Sequence, residues 1–126
     1  MLGLRAAEHE ESAPDANTLV VSRLSCSLVG VTQSIQLVPD TLVAATYGQA
    51  EVTESFTCNF GLNPLYQDQF LAGELQFVGF DDAGEVRIVE LPTHPFYVAT
   101  LFLPQVNSSP AQPHPLIVAY LRAAAH

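Results

Sequence analysis

The chain has 126 residues, 48% of them hydrophobic, with four Lys and Arg against 13 Asp and Glu; that is enough for one domain, residues 1–126, with a substantial core. Its net charge of −9, with no lysine, excludes a nucleic-acid surface or an anionic-membrane surface, both of which need clustered Lys and Arg. No stretch approaches ~18 consecutive apolar residues, no leader of basic then apolar residues opens the chain, and Cys26 and Cys58 are too few for a disulfide scaffold, so a cytoplasmic protein with reduced thiols is expected.

Residues 1–7 read as the end of a helix, and residues 8–18, polar with one proline, as a loop. Residues 19–38, "LVVSRLSCSLVGVTQSIQLV", are β-rich, and Gly30 marks a bend or hairpin between two strands. Pro39 and Asp40 suit the start of a short helix, "TLVAATYG", which Gly48 stops. From 51 to 63 the chain alternates, with Val52, Glu54, Phe56, Cys58 and Phe60 on one face, which is the period of a strand. Pro64 then opens a helix that ends at Gly73. "LQFVGF" and "EVRIVEL" flank Asp81-Asp82-Ala83-Gly84 as a β-hairpin. The apolar run 94–105, "HPFYVATLFLPQ", reads as a strand buried on both faces. A Pro- and Ser-rich loop leads from it to a last helix, "LIVAYLRAAA". The order of elements is that of an α/β or α+β domain.

The residues themselves assemble no complete active site. No serine lies in a G-x-S-x-G elbow, and the glycines are isolated at element ends, away from any phosphate loop. His94 and His114 each precede a proline, where a histidine bonding nearby backbone is the expected explanation; His9 reads as solvated. Cys26 and Cys58 read as buried, inert thiols. The carboxylate pairs Glu10/Glu11 and Asp81/Asp82 read as surface charge. No Cys or His pair has zinc-ligand spacing, so neither a metal nor an organic cofactor is expected.

The C-terminal third has a more specific look. "VELPTHPFYVATLFLPQ" (89–105) and the later "PHPLIVAYLRAA" resemble the end of the class I glutamine amidotransferase domain of CTP synthase, and "VPDTLVAATYGQAEVTESFTCNFGLNPLYQDQF" resembles its preceding stretch without a gap. The resemblance covers about residues 7–124 and includes a group of proteins related to the CTP synthase C-terminal region. It implies the C-terminal part of a flavodoxin-like α/β fold, a mixed sheet with β-hairpins and flanking helices. It also implies a family that hydrolyses glutamine with a Cys-His-Glu triad.

Carried over position by position, the resemblance implies losses. Where the family reads F-H-P-E, this chain reads Phe102-Leu103-Pro104-Gln105, so the catalytic histidine and glutamate positions hold Leu103 and Gln105. The basic stretch that helps hold glutamine is Ser55 to Gly61 here, with no basic residue. Glu11 matches a glutamate that binds the substrate amino group, with Glu10 as the other candidate. The elbow with the nucleophilic cysteine would lie N-terminal to Met1. The expectation is a catalytically degenerate protein that acts through binding or assembly, as a homo-oligomer or with a missing N-terminal half as partner. The alternative is part of a longer enzyme with an upstream Cys or selenocysteine nucleophile and redox or hydrolase chemistry, for which Cys58 is a partner thiol. Leu103 is expected to pack as a core residue in the old cleft.

Overall fold

The computed structural model describes residues 8–9, 19–23, 28–58, 60–62 and 72–125. The expected helix end at 1–7, the body of the helix from Pro64, and the side chains of Glu10, Glu11 and Cys26 lie outside the described residues. Eight strands are described: β1 (Glu8–His9), β2 (Leu19–Arg23), β3 (Val31–Leu37), β4 (Glu51–Phe56), β5 (Phe60–Leu62), β6 (Gln76–Phe80), β7 (Val86–Glu90) and β8 (Val98–Thr100). Helix α1 (Leu42–Tyr47) joins β3 to β4, a 3-10 turn spans Pro104–Asn107, and helix α2 (Pro115–Ala124) closes the chain. None of the described helices is long and apolar enough to cross a membrane.

The strands form two sheets. One is three-stranded, β1-β2-β5, with β1 parallel and β5 antiparallel to β2. The other is five-stranded and antiparallel throughout, in the order β4-β3-β6-β7-β8. Residues 19–38 therefore do not fold back as a hairpin: β2 and β3 enter different sheets, and Gly30, at φ 74°, is a bend ahead of β3. The alternating strand from 51 likewise divides, because β4 ends at Phe56 and β5 pairs with β2 instead. The polar stretch from residue 8, expected as a loop, contributes β1.

Local chemistry accounts for the elements. In α1, Thr41 is the N-cap and its side chain accepts from the Ala44 N–H, while Gly48 at φ 70° returns its own N–H to the Ala44 carbonyl. Asp40, just before it, sits at φ 61°, a left-handed conformation that aspartate tolerates better than most residues. Along β4, Val52, Glu54 and Phe56 face inward, as the alternation predicts. The β6–β7 hairpin turns at Asp81–Gly84, where Gly84 adopts φ 81° and its N–H bonds the Asp81 carbonyl.

The run 94–105 differs most from expectation. Only Val98–Thr100 pair, and they form the last strand of the sheet beside β7 rather than a strand buried on both faces. Pro92 and Pro95 offer no N–H before it. After it the Thr100 hydroxyl donates to the Phe102 carbonyl at 2.6 Å, and Pro104 opens the 3-10 turn. The apolar side chains are used separately: Phe96 packs edge-on against Tyr120 of α2, while Phe102 enters the core against Phe56.

That core lies between the five-stranded sheet and the two helices. Ile35, Val43, Phe56, Val78 and Ile88 are fully enclosed, with Phe102 and Leu116 beside them. Gly79 lies close against this core, pairing with Ile88 in an irregular register of β6 and β7. A Cβ built on Gly79 would lie 2.8 Å from two Ile88 side-chain carbons. Gly79→Ala is therefore expected to destabilise the fold by about 1–3 kcal/mol through overpacking, read as a lower midpoint in denaturant unfolding.

Candidate functional site

Leu103 and Gln105, the positions that the resemblance aligns with a catalytic histidine and glutamate, lie at the entry to and inside the 3-10 turn. Leu103 is 43% exposed, so it is not the core residue expected; the core position in this segment is its neighbour Phe102, at 1%. The chain bends at Leu101 and Phe102, with Phe102 turned inward and Leu103 outward. Gln105 is exposed. Cys58 is half-buried, less enclosed than expected, and its thiol donates to the Leu101 carbonyl at 3.0 Å. That contact brings Cys58 to the segment that carries Leu103. Glu11 lies outside the described residues, so these four positions are not shown to form one site.

A dense polar cluster of described residues adjoins this turn through Asn107. Glu54, on the inward face of β4, meets His114, the residue before α2: His114 Nε2 lies 2.8 Å from Glu54 Oε2 and 3.0 Å from Oε1. Both side chains are 3% exposed. The Tyr47 hydroxyl, from the end of α1, donates to Glu54 Oε2 at 3.3 Å, and Asn107 Nδ2 donates to Oε1 at 3.3 Å. His114 also caps its own helix, with Nδ1 accepting from the Leu116 N–H at 3.1 Å, while its backbone N–H donates to Ser108 Oγ at 2.9 Å. Above the cluster opens a groove of about 430 Å³ whose rim includes Thr32, Thr53, Ser55 and Gln112, all neutral.

The geometry fixes the protonation pattern. An Nδ1 that accepts a backbone N–H carries no proton, so the proton is on Nε2 and points at Glu54. A carboxylate–histidine pair is the orienting half of many acid–base sites, but there the second ring nitrogen faces a nucleophile. Here both nitrogens are engaged inside the protein, so the pair holds structure and has no free lone pair to offer a substrate. The expectation for His94 and His114 was backbone bonding: His94 Nδ1 accepts from the Phe96 N–H at 3.1 Å, and His114 does likewise while also making the buried pair.

Among the described residues, two further carboxylates are buried. Asp81, expected as surface charge, pairs with Arg87 Nη2 at 2.9 Å, both side chains being 5% exposed. Its Oδ1 accepts from the Ala83 and Glu85 N–H groups, and Gln33 bridges the pair through Arg87 Nε and Asp81 Oδ2. Glu90 accepts from the N–H groups of Leu42 and Val43, closing the first turn of α1. Among the described residues, no cluster of His, Cys, Asp and Glu has the arrangement of a metal site.

Sequence reasoning missed Glu54, Arg87 and Asp81 as buried partners. A signal existed for two of them: a glutamate between Val52 and Phe56 on the apolar face of a strand, and a lone arginine inside "EVRIVEL".

The fold is that of a glutaminase domain of the glutamine amidotransferase class. The glutaminase domain of Trypanosoma brucei CTPS, solved with bound acivicin, matches with a TM-score of 0.89 at 23% identity, over 98% of this chain and 52% of that one. In sequence, the CTP synthases of Pyrobaculum aerophilum, Synechococcus sp. and Nitratidesulfovibrio vulgaris are 33%, 35% and 39% identical over 98%, 97% and 95% of this chain. The chain is a homologue of CTP synthase, with the fold of its glutaminase domain. It spans 25%, 24% and 21% of those three relatives' own lengths. No family model matches it.

Burial, then the charge of Glu54, then the hydrogen bond to it, all push the Tyr47 phenol above its ordinary range. With the folded-state value raised, the stability this group contributes is present below about pH 10 and is lost as pH rises beyond it, where the unfolded chain ionises more readily. The melting temperature of the wild type is expected to fall more steeply above about pH 10 than that of Tyr47→Phe. Parallel curves would exclude this role for the phenol.

Proposed function

We propose that this chain is a catalytically degenerate glutaminase-like domain that acts through binding or assembly rather than by hydrolysing glutamine. The observation that carries this reading is the turn Phe102-Leu103-Pro104-Gln105, where the resemblance calls for a catalytic histidine and glutamate. Neither Leu103 nor Gln105 can transfer a proton. Among the described residues, the buried histidine–carboxylate pair nearby supports it, because His114 has no nitrogen free for a substrate. Losing one member of a catalytic unit costs ~10⁴–10⁶ in rate, so two losses leave nothing that a steady-state assay would register. A binding role also has surface to use: an apolar groove of about 520 Å³ between α1 and α2, with Leu42, Phe96, Val118 and Ala119 in its lining.

The 126-residue chain, incubated with glutamine, is expected to release no glutamate above the uncatalysed rate. Release that scales with protein concentration would overturn the reading.

A second reading rests on Cys58. Its thiol lies against the Leu101 carbonyl, beside the turn that holds the family's catalytic positions. In this reading the chain is part of a longer glutamine amidotransferase-related enzyme whose Cys or selenocysteine nucleophile lies upstream, and Cys58 is the partner thiol of its redox or hydrolase chemistry. Thiol-dependent activity of the full gene product that falls in Cys58→Ser would favour it. A Cys58→Ser protein indistinguishable from wild type would remove its support.

A further inference from the structure

The 3-10 turn that carries Gln105 is attached to the rest of the protein sparingly. Its backbone bonds are local, Val106 N–H to the Leu103 carbonyl and Ser108 N–H to the Gln105 carbonyl. Among the described residues, the one side-chain hydrogen bond from Pro104–Asn107 to another element is Asn107 Nδ2 to Glu54. The loop that follows returns at His114, whose backbone N–H closes it on Ser108 Oγ and whose ring lands on the same carboxylate. Glu54 therefore holds both ends of loop 107–114: Asn107 on Oε1, and His114 on both oxygens. Tyr47 adds the end of α1 to the same group.

We infer that Glu54 is a positioning clamp, which couples the turn bearing the family's catalytic positions to the first turn of α2, so that releasing either end loosens the other. The physical basis is the cost of leaving a buried carboxylate short of donors. When one donor leaves, the others must reorganise around the charge, and the carboxylate itself shifts towards water. Two ends that shared only backbone continuity would not communicate in this way. Loop 107–114 has its own local bonds, Ser109 with Gln112 and His114 N–H to Ser108 Oγ, and Ser109, Pro110 and Ala111 are exposed, so Glu54 is the buried connection between its ends. The clamp does not depend on whether the domain turns over glutamine.

Amide hydrogen exchange on the whole chain tests it, with two variants that each release one end. His114→Asn keeps a residue type that caps helices well but is too short to reach Glu54. It is expected to raise exchange of the Val106 and Ser108 amides, in the far turn, by about fivefold or more. Asn107→Ala removes an exposed side chain at the other end. By reciprocity it is expected to raise exchange of the Ile117 and Val118 amides, which bond the His114 carbonyl, by a similar factor. The Ala83 and Glu85 amides, held by Asp81, serve as the unaffected reference in both. If either variant leaves the far end as protected as in wild type, the two ends are independent and the clamp is wrong. Should His114→Asn fail to fold, Asn107→Ala alone decides the matter by the same criterion.

Discussion

A carboxylate and an imidazole, each about as buried as any core leucine, meet at 2.8 Å between Glu54 and His114, and much of the remaining architecture follows from the need to satisfy them. A buried carboxylate without partners is costly, so its position dictates what surrounds it. Here it recruits the end of α1 through Tyr47, the 3-10 turn through Asn107 and the start of α2 through His114. The hydrophobic core supplies most of the driving force. The polar node decides where the two helices and the turn sit relative to β4, because dispersion and area burial alone are tolerant of small slides, whereas hydrogen bonds to a charge are not.

The same solution recurs elsewhere. Asp81 organises the β6–β7 turn and holds Arg87 over the Phe56 ring, and Glu90 closes the first turn of α1 from the neighbouring strand. Glu54, Asp81 and Glu90 are thus three buried carboxylates in an acidic protein, each committed to structure. No buried side-chain nitrogen or oxygen lacks a partner among the described residues. A site built for acid–base work leaves a titratable group turned towards a cleft; in the described part of this domain the buried ones all face inward and are occupied. The chain matches the fold of a CTP synthase glutaminase domain over 52% of that domain's chain, and its buried charges maintain that fold.

What the sequence disclosed depended on how local the cause was. The β6–β7 hairpin was readable because Asp81 and Gly84 supply the turn within a few residues, and α1 because Pro39 and Asp40 precede it and Gly48 stops it, although the N-cap itself is Thr41. The inward face of β4 followed from strict alternation. The partner of Glu54 was not readable, since His114 lies 60 positions away and no spacing rule joins a strand residue to a distant helix cap. The run 94–105 misled for the opposite reason. Its apolar side chains are used separately, Phe96 against Tyr120, Phe102 in the core and Leu103 outward, and local pattern cannot tell such a bent chain from a strand buried on both faces. The split of residues 19–38 between two sheets was equally hidden, because Gly30 permits a bend without saying where the next strand pairs. For the candidate site, the resemblance to the family rather than spacing singled out Leu103 and Gln105.

The central claim is that the Glu54–His114 pair is a structural bond of the domain and not two residues that happen to lie close. A double-mutant cycle measures it directly: denaturant unfolding of wild type, Glu54→Leu, His114→Leu and the double variant, all at neutral pH. A coupling energy of about 2 kcal/mol or more, with the double variant much less destabilised than the sum of the singles, is predicted. Single effects that add to within about 0.5 kcal/mol would contradict the claim, and the polar node would lose its place as the feature that positions the helices and the turn.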